Sequence, residues 1–133
     1  MSREEEKQEH HGSYNCAQSV LLSLREHFPH VYDKILTQAA SGFGGGVCCG
    51  EICGAVAGAV MAIGLSVDFD ENDQESLIGE RKKVRELTGP YTEDFKNKFG
   101  SLRCCELRAA KCDCGELIEY AERSAEKVIK NLN

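Results

Sequence analysis

The sequence predicts an all-α protein, a single compact bundle of five to seven helices with a glycine-rich loop before the central buried helix. Three observations carry this reading. Apolar residues recur at three- and four-residue steps along most of the chain, no segment alternates with period two, and Gly and Pro punctuate the periodic stretches. With 133 residues, 41% hydrophobic and 29% charged, the chain is long enough for one core and too short for two.

Ala17, Val20, Leu21, Leu24 and Phe28 mark a first helix opening at Ser13 as N-cap and closed by Pro29. Val31, Ile35, Leu36, Ala39 and Ala40 mark a second, ended by Ser41-Gly42. The stretch Gly42-Phe43-Gly44-Gly45-Gly46 cannot continue a helix and lets other groups approach the main chain. A third helix runs from about Glu51 to Leu65, with Gly54, Gly58 and Ala62 on one face, where a neighbouring helix can pack closely. Leu77, Val84, Leu87, Tyr91, Phe95 and Phe99 continue the helical stripe, and Gly89-Pro90 makes this two helices or one kinked one. Ser101 to Ala110 is a short helix, and Leu117, Ile118, Ala121, Ala125, Val128 and Ile129 mark the last, opening at Asp113. Residues 1–12 are expected to be a disordered tail and 13–133 one cysteine-rich domain.

Charge and hydropathy exclude other classes. The 22 acidic side chains against 16 basic ones leave a net charge of -6, which repels phosphate backbones, so no nucleic-acid partner is expected. The longest apolar run, Ile52 to Leu65, falls short of the roughly 18–20 residues that cross a bilayer, so no membrane insertion is expected. The polar, acidic start lacks the pattern of a secretory signal, and a cytoplasmic location follows as an expectation. Eight cysteines are then the abnormal feature, because stable cystines are rare in a reducing compartment and metal or redox work is the default for so many thiols.

The positions of the thiols sharpen this. Cys16 lies three residues after Ser13 and Cys104 three after Ser101, while Cys53 follows the glycine loop and Cys114 follows Asp113. Each therefore falls in the first turn of a predicted helix, where unpaired N–H groups and the positive dipole end favour thiolate. If the four helix starts converge, activated sulfurs surround one point. Gly44, Gly45 and Gly46, with Gly54, are placed to bring backbone N–H groups near those sulfurs or a cofactor they hold. All eight cysteines (Cys16, Cys48, Cys49, Cys53, Cys104, Cys105, Cys112 and Cys114) are candidate metal ligands, for an iron-sulfur cluster or, alternatively, a structural zinc. The paired C-x2-4-C spacing of zinc modules is incomplete. The C-x-x-C-H of c-type haem is absent, and the glycine loop lacks the Lys-Ser/Thr of a P-loop and a preceding strand, so neither haem nor nucleotide is expected.

Several separated blocks resemble one known family. Asn15-Cys16-Ala17-Gln18-Ser19-Val20, Gly42 to Gly46, Gly50-Glu51-Ile52-Cys53-Gly54-Ala55-Val56-Ala57-Gly58-Ala59 and Gly100-Ser101-Leu102-Arg103-Cys104 stand in the order found in the redox-active family named for its C-GCAxxG-C-C motif. The resemblance spans about residues 13 to 130 and maps the four motif cysteines onto Cys16, Cys53, Cys104 and Cys114. It implies a small cytoplasmic redox protein. Cys48, Cys49, Cys105 and Cys112 are extra thiols beside the motif positions, either enlarging the site to a cluster or acting as resolving cysteines.

The resulting expectation is electron transfer through clustered thiolates, by dithiol/disulfide cycling or through a cluster, with a redox partner protein and room for a homo-oligomer. In the disulfide version Cys53 attacks and Cys16 resolves. Glu51, beside the glycine loop, is a candidate proton carrier. His10, His11, His27 and His30 read as solvated tail and helix-end residues, and Arg81-Lys82-Lys83 with Arg85 as a solvated basic face.

Overall fold

A computed structural model of the chain describes residues 13–132. Six α-helices follow one another: α1 (Cys16–Ser23), α2 (Asp33–Ala40), α3 (Gly54–Leu65), α4 (Gln74–Phe99), α5 (Cys104–Ala109) and α6 (Cys114–Lys130). No strand occurs among the described residues, only an isolated antiparallel bridge between Ile52 and Arg103. The all-α expectation holds. The expected tail, residues 1–12, lies outside the described residues, as do His10 and His11.

Helix α3 is apolar on every side because it is surrounded: α1, α4 and α6 all pack on it. Its small residues permit the close approach. A Cβ on Gly58 would lie 2.6 Å from the Ala17 carbonyl oxygen, and one on Gly54 2.9 Å from that of Phe43. The core so formed holds Leu21, Leu24, Phe28, Val56, Ile63, Phe95 and Leu107, drawn from four helices and the turn after α1.

Four boundaries differ from the sequence reading, each for a local reason. The N-cap of α1 is Asn15 rather than Ser13: its side chain accepts the Gln18 N–H at 2.8 Å while the Gln18 side chain accepts the Asn15 N–H at 2.9 Å. The Asn15 amide also donates to the carbonyls of Ala40 and Ser41, fixing the start of α1 to the end of α2. Past Ser23 the chain tightens into a 3-10 turn, Arg25–His27, instead of continuing as α-helix to Phe28. Helix α3 opens at Gly54, not Glu51, because Glu51 and Ile52 are held extended against Arg103. There the Cys53 N–H donates to the Leu102 carbonyl at 2.7 Å and the Cys104 N–H to the Glu51 carbonyl at 2.6 Å. Ser101 does not cap α5; its hydroxyl accepts the Arg103 N–H and donates to Glu106 one turn ahead of the helix.

Helix α4 runs unbroken through Pro90. Gly89 precedes the proline and offers no Cβ to its ring, which removes much of the usual clash, and the Thr92 hydroxyl donates to the Gly89 carbonyl. Only Tyr91 and Phe95 of the predicted stripe are buried, while Leu77 is 39% exposed. The first half of α4 therefore stands largely clear of the core. No helix among the described residues is long and apolar enough to cross a membrane.

Candidate cysteine site

The four first-turn cysteines are brought together. Cys16, Cys104 and Cys114 are the opening residues of α1, α5 and α6, and Cys53 is the N-cap of α3. All four, with Cys112, line one small cavity of about 30 Å³ beside Gly45 and Gly54. Two features close it. The Ile52–Arg103 bridge draws the start of α5 to the start of α3, and Lys111, at φ 60°, folds the chain back so that the Cys112 N–H reaches the Leu107 carbonyl. Every cysteine is a free thiol in the structure.

The glycines serve the site by leaving space. A Cβ on Gly46 would sit 2.6 Å from the Cβ of Cys104, and one on Gly54 3.2 Å from that of Cys16. Gly44 abuts the Asn15 side chain, so it supports the cap of α1. Backbone N–H groups also act on one of the sulfurs. Those of Ala55 and Val56, in the first turn of α3, point at Cys53 and favour its thiolate, although as a neutral thiol it makes no capping hydrogen bond.

Electrostatics correct the expectation of an activated thiolate at two of the four positions, Cys16 and Cys53. Burial pushes the Cys16 thiol up to about 11, reinforced by the charges of Cys114, Cys53 and Cys104 and by a hydrogen bond with Cys114. Cys53, only 4% exposed, is also raised: its burial and the charges of Cys104 and Cys114 outweigh the N–H groups of Ala55 and Val56. The helix ends are present, but desolvation and mutual repulsion exceed their pull. Burial is the larger cause at both cysteines.

The eight thiols do not all line this cavity. Cys48, Cys49 and Cys105 are exposed and lie outside the cavity. Cys48 and Cys49 belong to a π-type turn, Gly46–Gly50, whose backbone is left-handed at Val47 (φ 59°) and Cys48 (φ 58°). Their sulfurs face the carbonyls of Gly42 and Gly46. Cys105 lies against Gly50, where a Cβ would meet its own at 3.1 Å. Glu51 does not point free toward the sulfurs as a proton carrier: the Arg103 guanidinium donates to both its carboxylate oxygens, at 3.1 and 3.3 Å.

Tetrahedral zinc sulfur sites, with Zn–S of about 2.3 Å, place neighbouring sulfurs about 3.8 Å apart. Among the described residues no three cysteine sulfurs lie within 4.8 Å of one another. A closed tetrahedral zinc site is thus not assembled by these side chains as they stand. As it stands, the constellation is a thiol site.

Comparison with known proteins adds one match. The family model described as "Putative redox-active protein (C_GCAxxG_C_C)" matches residues 14–128, which include all six helix starts and the five cavity cysteines. No curated protein and no solved structure matches. With the model covering nearly the whole chain and its four cysteines meeting at one cavity, the chain belongs to the C-GCAxxG-C-C redox-active family.

Proposed function

We propose that this protein carries electron pairs by dithiol/disulfide cycling, with Cys114 and Cys16 as the working pair and a disulfide-bearing partner protein as oxidant. The observation that carries this reading is that Cys16, Cys53, Cys104 and Cys114 line one cavity, where Cys114 is the sulfur whose charge acts most on Cys16. Cys114 is exposed and Cys53 is buried, so the attacking role expected of Cys53 passes to Cys114.

The chemistry balances on these atoms. The Cys114 sulfur, deprotonated, attacks one sulfur of the partner's disulfide, forming a mixed disulfide and releasing the other partner sulfur as thiolate. Cys16 then loses its proton and attacks the Cys114 sulfur, which releases the partner's remaining thiolate and closes a Cys16–Cys114 disulfide. Two electrons move to the partner, and the two protons lost here end on its thiols. Forming the mixed disulfide removes the charge of Cys114, one of the causes that raise the Cys16 thiol, while burial, the largest cause, remains.

The test is a thiol count before and after equilibration of anaerobic, reduced protein with oxidised glutathione. Wild type should lose two thiols and Cys16→Ser should stall as a glutathione adduct at Cys114, readable by mass. A brown, iron-containing preparation, stoichiometric zinc, or an unchanged count would overturn the proposal.

A further inference from the structure

Away from the cysteines, a second constellation joins the exit of α1 to the last helix. The His27 Nε2 lies 3.3 Å from Glu126 Oε2 and 3.6 Å from Glu26 Oε1. These three ligand atoms all fall within 4.8 Å of one another. The side chains of His27 and Glu126 are only 18% and 13% exposed, while Glu26 is on the surface. Glu126 and His27 are 99 residues apart in sequence, so the fold rather than local chain geometry sets this meeting.

We infer that Glu26, His27 and Glu126 form a binding site for a divalent first-row transition ion, separate from the cysteine cavity. The spacing suits an ion: metal–ligand bonds of about 2.1 Å at tetrahedral angles put neighbouring N and O ligand atoms about 3.4 Å apart, which falls between the 3.3 and 3.6 Å found here. Two carboxylates neutralise a divalent charge, and one imidazole with two carboxylates suits zinc, cobalt, nickel or iron better than thiophilic monovalent copper. Lys130 Nζ lies 3.5 Å from the other Glu126 oxygen, Oε1, and leaves Oε2 turned toward His27. Three protein ligands leave the remaining positions to water. An ion held there ties the 3-10 turn Arg25–His27 to α6.

Cobalt(II) is the probe, added to reduced, anaerobic full-length protein whose Cys16 and Cys114 are both changed to Ser. Cobalt on imidazole and carboxylates gives weak visible bands without the intense near-ultraviolet charge transfer of a cobalt–thiolate bond, so the two sites are spectrally distinct. The expected result is one equivalent bound without sulfur charge transfer, accompanied by a rise in thermal midpoint. Adding His27→Gln or Glu126→Gln should abolish both effects while leaving the helical circular dichroism intact. Cobalt uptake equal in the His27→Gln and parent proteins, or seen only with sulfur charge transfer, would sink the assignment, and so would no uptake in the parent. Neither result depends on the disulfide chemistry of Cys16 and Cys114.

Discussion

Gly58 and Gly79 should respond to the same substitution with opposite signs. A methyl at Gly58 meets backbone atoms of Ala17 at 2.6 and 3.0 Å, so α1 and α3 must separate, and Gly58→Ala should destabilise by about 1–3 kcal/mol. Gly79 lies in α4 with nothing within 4 Å of an added Cβ, and Gly79→Ala should stabilise by about 0.5–1 kcal/mol. Urea denaturation of the two variants checks both signs. The thiols make a second prediction at this level. Cys16 titrates at about 11 in the reduced, metal-free fold against 9.0 for an unperturbed thiol. A group raised on folding contributes its full stability below the unperturbed value, so stability should hold up to about pH 9 and then fall toward pH 11 as the unfolded chain ionises first. Cys16→Ser should make that decline shallower in denaturation midpoints measured across the range. Which cysteines stand at helix starts was readable from residue order, because that placement depends on local helix signals. Their protonation was not, since desolvation and repulsion arise only when the four sulfurs share a cavity.

The helices were legible where an apolar period continues and misread where a contact from far along the chain sets the boundary. Asn15 rather than Ser13 caps α1, and an Asn-x-x-Gln box was there to be seen. The start of α3 was not visible: Glu51 and Ile52 are apolar-compatible with a helix, yet they are taken by a bridge to Arg103, fifty-one residues beyond Ile52. Helix α4 shows the reverse, a continuous element where Gly89-Pro90 suggested interruption. Its two halves differ in burial, with Tyr91 and Phe95 in the core and Phe99 tilted against Phe95 and edge-on to Tyr120. Ahead of Pro90, Leu77 and Ile78 are exposed. Local opening tracks how few buried contacts a segment makes. Amide hydrogen exchange should therefore be faster over residues 77–86 than over 91–99, and equal protection along α4 would contradict this account.

Taken as a molecule, the protein sorts its eight thiols into an inner and an outer set. Five line the cavity, and Cys48, Cys49 and Cys105 face solvent around the left-handed Gly46–Gly50 turn. Replacing those three with Ser should leave stability within about 0.5 kcal/mol, as expected for exposed positions, and should leave the loss of two thiols on mild oxidation unchanged. Denaturation curves and thiol counts on the triple variant decide this. The all-α architecture, the buried α3 and the four helix-start cysteines could all be read from residue order, because helical period, glycine spacing and capping act over a few residues. Folding in three dimensions decided the rest: which thiols share a cavity, that burial raises rather than lowers Cys16 and Cys53, and that His27 meets Glu126. Those outcomes depend on dielectric surroundings and on distances between residues far apart in sequence, which no local pattern encodes.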